Sequence, residues 1–247
     1  MIRLIASKEF RSLLAAPSTW LVLGALQFIL AWSLLGRLNA FLQLQSQLTL
    51  IANAPGATQV VVPPLFGIVA LVMLLLAPVF TMRLLAEERR NLTFALLLAA
   101  PVSICHIVLG KFFGLMLFLS LIVFATTAMA LVLALGTTMD FGMLLANAIG
   151  LLLLAASYAA LGLYISALTA QPIVAAIAAL AALFGLWLAD SNATDSNPLM
   201  HALTPTGHFL NFNGGLLDSS DFVYFILFCA VFLSLTIRRI QNNRIYG

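Results

Sequence analysis

Long runs of apolar residues constrain this chain more than any other feature. A helix needs about 20 such residues to cross a bilayer, and residues 141–168 contain no charged side chain. Charged residues make up 8% of the whole chain, whereas they supply about 25% of a soluble domain. The sequence therefore predicts an all-α integral membrane protein.

Prolines, turn residues and charges divide the apolar sequence into six predicted spans. Pro63 and Pro64 suit the first turn of the second span, and Pro78 within it predicts a kink. The first helix keeps its helical spacing beyond its apolar part, so we expect it to protrude from the membrane. The 247 residues leave no room for a soluble catalytic domain, and we predict a single transmembrane domain, residues 1–247. Its predicted spans are about 19–35, 64–82, 107–135, 141–168, 173–189 and 221–237.

The amino-terminal segment, residues 1–16, has the pattern of an amphipathic helix. Its basic residues fall on one side of a helical wheel and most of its apolar residues on the other, although Leu4 and Glu9 break the pattern. We predict that this helix lies in the cytoplasmic interface, with its basic side chains near anionic headgroups. A signal peptide is the competing interpretation, but the apolar run starts only after Pro17 and is too long for an h-region.

The distribution of charge predicts how the spans are oriented. Basic residues accumulate on the cytoplasmic side of membrane proteins, and six spans put ten of the eleven Lys and Arg residues on one side. Only Arg37 falls on the other side, with five of the eight acids. We therefore expect both termini in the cytoplasm. The ten basic residues are Arg3, Lys8, Arg11, Arg83, Arg89, Arg90, Lys111, Arg238, Arg239 and Arg244, and the five acids are Asp140, Asp190, Asp195, Asp218 and Asp221.

The segment from Arg83 to Lys111 is the main predicted cytoplasmic feature. Thr93 can cap a short helix, residues 94–100 are apolar and helix-prone, and Pro101 ends that helix. The apolar side chains of a helix outside the membrane must be shielded from water, either by lipid or by a partner protein.

Charged residues are absent from the middle of every predicted span. A charge at that depth costs about 2.5–3.5 kcal/mol or more and usually marks an ion or proton path, so a proton-coupled carrier or an ion channel is disfavoured. Gln27, Asn147, Ser157 and Tyr158 are the main polar groups there, and we interpret them as hydrogen-bonding partners between helices. Gly110 and Gly114 form a Gly-xxx-Gly pattern that predicts close helix packing.

The sequence contains no set of residues typical of catalysis or of nucleotide binding. Gly110-Lys111 lacks the other residues of a phosphate-binding loop, and no nucleophile is paired with a base. His201 and His208 form a weak metal-ligand pattern because no carboxylate or thiolate lies between them, so a metal site there stays open. We predict no catalytic residue, no cofactor bound by this chain and no nucleic-acid partner.

The central segment carries a resemblance to a known family. Ala86–Arg90, Thr93, Leu96–Leu98, Pro101–Ser103 and Ile107–Lys111 resemble the first cytoplasmic segment of ABC-2 type transporter permeases, particularly the gliding-motility-type subgroup. The likeness extends to Lys8–Ser12 with Pro17, and to the residues from His208 to Phe225 that lead into the last span. It therefore covers nearly the whole chain.

The resemblance implies a six-helix subunit that dimerises and binds two separate cytosolic ATPase subunits, which hold ATP and Mg²⁺. The short helix after the second span would be the coupling helix that contacts the ATPase. Leu92 and Ala95 stand where the family commonly has Gly and Glu, so we expect a more apolar coupling surface and a dedicated ATPase; a weakly coupled subunit is the alternative. The predicted coupling residues are Glu87, Glu88, Arg89, Arg90, Thr93, Phe94, Leu96, Leu97, Leu98 and Pro101.

The fifth span is rich in alanine, which lets another backbone approach closely. We predict a subunit interface on Ala175, Ala178, Ala179 and Ala182, joined by the first span on the basis of the family likeness. The partner would be a second copy of this chain or a close paralogue.

Together these observations predict a non-catalytic permease subunit in the inner membrane of a bacterium. An uncharged bundle suits export of an amphipathic or lipid-linked substrate. The alternative is a mechanotransmission or assembly module that passes ATP-driven motion to envelope partners, with a periplasmic accessory protein as a possible further partner. A simple membrane anchor is a third interpretation, but it leaves the capped helix at residues 93–100 unexplained.

Overall fold

The computed structural model describes residues 1–48, 56–91, 103–136, 139–191 and 203–246. Within these ranges all regular structure is helical, which confirms the predicted all-α fold class. The α-helices are α1 (Ile2–Ala15), α2 (Pro17–Leu48), α3 (Ala57–Arg90), α4 (Ile104–Leu131), α5 (Phe141–Leu168), α6 (Pro172–Ser191), α7 (Pro205–Asn213) and α8 (Ser219–Tyr246), and a 3-10 turn, Val132–Leu135, follows α4.

Six of these helices are long and apolar enough to cross a membrane: α2, α3, α4, α5, α6 and α8. The described part of the chain therefore confirms six apolar helices. At 1.5 Å per residue, the 32 residues of α2 extend about 48 Å, well beyond a hydrocarbon core of about 30 Å. The helix thus continues past the length that a membrane would cover.

The second long helix, α3, begins earlier than the sequence predicts. It starts at Ala57, so Pro63 and Pro64 lie inside it rather than in its first turn. Proline there removes backbone hydrogen bonds, yet Val61 and Val62 are fully buried. Tertiary packing of this first part outweighs the local preference of the prolines, because burying each valine contributes about 1.5–3 kcal/mol.

Two side-chain caps define where α4 and α5 begin. The Ser103 hydroxyl accepts a hydrogen bond from the backbone N–H of His106, and the Asp140 carboxylate accepts bonds from Gly142 and Met143 at 2.9 and 3.1 Å. Each cap pairs backbone donors that a helix amino terminus otherwise leaves open.

The sequence interpretation missed α7, which lies inside a stretch that reads only as a polar loop. Pro205 occupies the start of this helix, and Phe209 and Phe212 are buried. Phe212 packs against Gly150 of α5, where any Cβ would collide with the aromatic ring. Proline at the start and Gly214 after the end are ordinary helix boundary signals, so the helix could have been found.

The centre of the bundle is formed by α3 and α5, which run side by side in the same direction. Near one end the Thr58 hydroxyl accepts a bond from the Asp140 backbone N–H at 3.3 Å, and near the other the Ser166 hydroxyl accepts one from Ala86 N–H at 3.0 Å. Thr81 of α3 lies directly against Gly162 of α5. Helices α2 and α6 flank α3 and keep many apolar side chains exposed, as expected of surfaces that face lipid or another subunit.

Candidate functional site

The most unusual group in the bundle is the side chain of Lys111, near the start of α4. Lys111 is 0% exposed, and its Nζ lies 2.7 Å from Glu88 Oε1 and 3.1 Å from Glu9 Oε1. A buried ammonium is tolerated only when it is paired and hydrogen-bonded. These three residues, which we call the charged clamp, therefore hold α1, α3 and α4 together.

Two glycines of α4 place α1 close enough to complete the clamp. A Cβ atom on Gly110 would lie 2.7 Å from the Ile5 Cβ, and one on Gly114 would lie 2.7 Å from the Glu9 Cβ. Both distances are shorter than real contacts allow, so only glycine permits this approach. The Gly-xxx-Gly pattern is thus confirmed as a close helix-packing site, and it brings Glu9 within reach of Lys111.

Glu9 is the member of the clamp that sequence reasoning missed. The sequence predicts that it breaks the amphipathic pattern of α1, and this is confirmed, because Glu9 is 9% exposed and lies on the face that packs against the bundle. The basic residues Arg3, Lys8 and Arg11 are exposed, as the helical wheel predicts. An acid within the apolar face of a helix was the available signal for a buried ion pair.

A polar cavity of about 420 Å³ lies beside the clamp, between α1 and the end of α3. Its wall combines acidic and basic groups, and Lys8 approaches Glu9 at 3.7 Å. The lining residues are Lys8, Glu9, Ser12, Leu13, Ala16, Arg83, Glu87, Glu88 and Asn91. Because the cavity wall carries both positive and negative groups, these groups favour pairing with one another over binding a ligand of a single charge.

The clamp joins the two flanks of the predicted coupling segment. Glu88 lies in the last turn of α3, just before residues 92–102, and Lys111 lies in α4, just after them. The ion pairs therefore connect the helices on both sides of that segment with each other and, through Glu9, with α1.

The predicted coupling residues fall into two groups. Glu87, Glu88, Arg89 and Arg90 lie in the last turn of α3, whereas Thr93, Phe94, Leu96, Leu97, Leu98 and Pro101 lie outside the described residues. The Glu88 side chain is 17% exposed and is engaged by Lys111, so it contributes to the internal clamp, and its predicted contact with an ATPase stays a prediction.

The four alanines of the predicted subunit interface on α6 differ in exposure. Ala175 and Ala179 are each 1% exposed and belong to the core of this protomer, because that face of α6 packs within the bundle. Ala178 is exposed and Ala182 is half-buried. The outward face of α6 instead presents Ile173, Val174, Ile177 and Phe184 beside Ala178.

The polar groups in the spans have mixed roles. The Asn147 side-chain amide donates to the backbone carbonyl of Asn213 at 3.2 Å, which joins α5 to α7 as an interhelical hydrogen bond. The Ser157 hydroxyl donates to the Leu153 carbonyl of its own helix at 3.2 Å. Ser157 also hydrogen-bonds the Cys229 side chain of α8, and Tyr158 hydrogen-bonds Thr206 of α7. The predicted interhelical contacts of Asn147, Ser157 and Tyr158 are therefore confirmed.

A second charged cluster lies at the opposite end of the bundle. His208 Nδ1 of α7 is 2.5 Å from Asp221 Oδ1 of α8, and the Asn211 amide donates to Asp221 Oδ2 at 3.0 Å. The His208 ring stacks on Tyr224, with centroids 3.9 Å apart. His201 lies outside the described residues, and the described ones contain no group of three His, Cys, Asp or Glu residues able to hold a metal.

Taken together, the fold and the clamp define a multi-pass helical membrane protein with a buried ion-pair cluster at its basic end. The family model for the ABC-2 family transporter protein matches residues 3–243, and the chain belongs to that family. It is accordingly a permease component of an ABC transporter, a class of membrane subunit that is typically non-catalytic and works with an ABC ATPase. No curated protein matches the sequence.

Proposed function

We propose that this chain is the dimeric permease subunit of an ATP-driven exporter in the inner membrane of a bacterium, of the gliding-motility-type subgroup, with both termini in the cytoplasm. A separate cytosolic ATPase docks on residues 93–100 and supplies ATP and Mg²⁺, while this chain binds no cofactor. The charged clamp is the observation that carries the proposal, because it ties both flanks of that segment to α1 and to the bundle.

The basic end of the bundle supports the cytoplasmic placement of the ATPase site. Arg239, in the last part of α8, is close enough to Arg89 to repel it electrostatically, so the carboxyl-terminal end lies beside the end of α3. Helix α1 meets the same end through Glu9 and Lys111. Both termini thus share one end with most of the basic residues, as the positive-inside rule requires of a cytoplasmic surface.

The substrate class follows from the apolar surface of the bundle. The described spans bury no charged group near their middle, so a substrate with a large apolar part, amphipathic or lipid-linked, suits them. The second subunit, a copy of this chain or a paralogue, would pack on the outward face of α6 and on α2, where exposed side chains include Phe28, Trp32 and Ile177.

Mechanotransmission is the second candidate function, and the length of α2 favours it. This helix is about 48 Å long and continues to Leu48. Since the hydrocarbon core of a bilayer is about 30 Å thick, much of the remaining length of the helix would project toward the envelope. Such a projection could pass ATP-driven motion to a periplasmic accessory protein without moving a solute. The two functions separate experimentally: shortening residues 40–48 would abolish mechanotransmission, while leaving export of an amphipathic substrate intact.

Co-purification of the ATPase tests the proposal. Leu97→Asp places a charge in a contact that docking would desolvate, so it should release the ATPase and abolish stimulated ATP hydrolysis. Leu42→Asp is the control, since Leu42 is exposed near the far end of α2. If charged substitutions at residues 94–98 leave the complex and its hydrolysis unchanged, the coupling proposal is wrong.

A further inference from the structure

A mainly apolar cavity of about 130 Å³ lies where α7 meets α3, α5 and α6. Gly67 of α3, Trp187 of α6 and Phe209 of α7 form part of its wall. A Cβ atom on Gly67 would meet nothing within 4 Å, so this glycine leaves the space beside it open. Leu71 and Leu210 also line the cavity and are exposed. The cavity therefore opens to the surface of the bundle between α3 and α7, where a small molecule can enter.

Three polar side chains interrupt the apolar wall, and one of them has an unused acceptor. The Tyr158 hydroxyl of α5 hydrogen-bonds Thr206 of α7, so these two groups pair with each other. Asn213, at the end of α7, is anchored by its backbone carbonyl, which accepts a bond from the Asn147 side chain at 3.2 Å. Its own side-chain Oδ1 is buried and has no hydrogen-bond partner among the described residues. A buried acceptor without a partner is costly, so the cavity favours an occupant that donates a hydrogen bond.

The volume and the lining indicate the size and class of that occupant. An apolar protein cavity of about 150 Å³ binds benzene, so a cavity of about 130 Å³ suits a molecule built on a single ring. The rings of Trp187 and Phe209 supply aromatic surfaces against which such a ring can pack. Water suits the site less well, because most of the wall is apolar and a buried water needs two to four polar partners.

We propose that this cavity binds a small aromatic alcohol of about the size of phenol. Its ring fills the space beside Gly67, and its hydroxyl donates a hydrogen bond to Asn213 Oδ1. The ligand would contact α3, α6 and α7 at once, and would thereby hold α7 against the bundle. Binding requires neither the ATPase nor transport, so this site is separate from the function proposed above.

Fluorine NMR of the purified full-length chain tests the proposal with two probes of matched shape. In para-fluorophenol a hydroxyl stands opposite the fluorine, and in para-fluorotoluene a methyl group takes its place. Each probe is titrated with the protein in detergent, and excess phenol is added as a competitor. Binding of para-fluorophenol should be saturable and about fivefold or more tighter than that of para-fluorotoluene, because one hydrogen bond to an unpaired acceptor changes affinity by about this factor.

Two variants separate the hydrogen bond from the space. Asn213→Leu should remove the preference for para-fluorophenol, and Gly67→Leu should abolish saturable binding of both probes because the new side chain occupies the cavity. Gly24→Leu is the matched control: its Cβ position also has nothing within 4 Å, but it lies on α2, outside the cavity, so this variant should bind like the native chain.

Three results would overturn the proposal. The first is the absence of saturable binding to the native chain, which would mean a cavity that holds water or detergent only. The second is equal affinity of the native chain for the two probes. The third is unchanged binding by the Gly67→Leu variant, which would place the probes elsewhere on the protein.

Discussion

The two ends of the bundle both contain a carboxylate paired with a basic side chain, but they connect the chain differently. At the basic end, Lys111 reaches Glu9 and Glu88, which lie in two other helices far apart in the sequence. At the acidic end, Asp221 pairs with His208 and Asn211, which are close to it in the sequence. The first cluster ties distant elements together around the coupling segment, whereas the second fixes α7 on the start of α8.

Removing the charge of Lys111 should have the largest effect. Lys111→Met removes the buried cation between Glu9 and Glu88 and leaves the exposed Lys8 at 3.7 Å from Glu9, and breaking a buried ion pair in this way typically costs about 3–5 kcal/mol. Unfolding in detergent, followed by circular dichroism, should show a loss of this size in the free energy of unfolding. A loss below about 1 kcal/mol would mean that the pair is solvated like a surface salt bridge.

Pushing α1 away from α4 should have an intermediate effect. Gly114→Leu places side-chain atoms where Glu9 and Ala6 already lie, and overpacking of this kind costs about 1–3 kcal/mol. Gly185→Leu is the matched control, because nothing lies within 4 Å of its Cβ position. Thermal unfolding of the two variants should separate them clearly; equal melting temperatures would contradict the close approach of α1.

Weakening the acidic-end cluster should have the smallest effect. Asp221→Asn keeps an oxygen for hydrogen bonding but replaces charge-assisted bonds by neutral ones, a difference of about 1 kcal/mol. Proteolysis between α6 and α8 should become modestly faster, while ATP hydrolysis by the complex stays unchanged. Loss of hydrolysis in this variant would show that both ends of the bundle belong to the coupling path.

The sequence predicted the periodic parts of the molecule well and the contacts between distant residues poorly. Uncharged runs such as residues 141–168 can be recognised as long apolar helices from the sequence alone, because length and hydropathy are local properties. The early start of α3 before Pro63 depends instead on what the rest of the chain packs against it. Local patterns do not contain that information.

The candidate site shows the same division. Gly110 and Gly114 predicted a close packing site, and the structure supplies α1 as the helix that fills it. The pairing of Glu9 with Lys111 could not be derived from the sequence, because neither segment contains a pattern that indicates contact with the other. Ala175 and Ala179 of α6 pack within the protomer, because small residues serve packing within a protomer as well as between protomers, and the subunit interface stays a prediction.

In our proposal, the charged clamp passes motion from the ATPase-docking segment, residues 93–100, to α1. The direct test uses the triple variant Glu9→Gln, Glu88→Gln and Lys111→Met, since replacing a complete buried ion cluster by neutral groups is often tolerated. Spin labels on cysteines at Ser7 and Leu75, both exposed, report the distance between α1 and α3 by pulsed electron resonance in the ATPase complex.

With the native clamp, ATP and vanadate should shift this distance, and in the triple variant the ATPase should still bind while the shift disappears. An identical shift in both proteins would contradict the account.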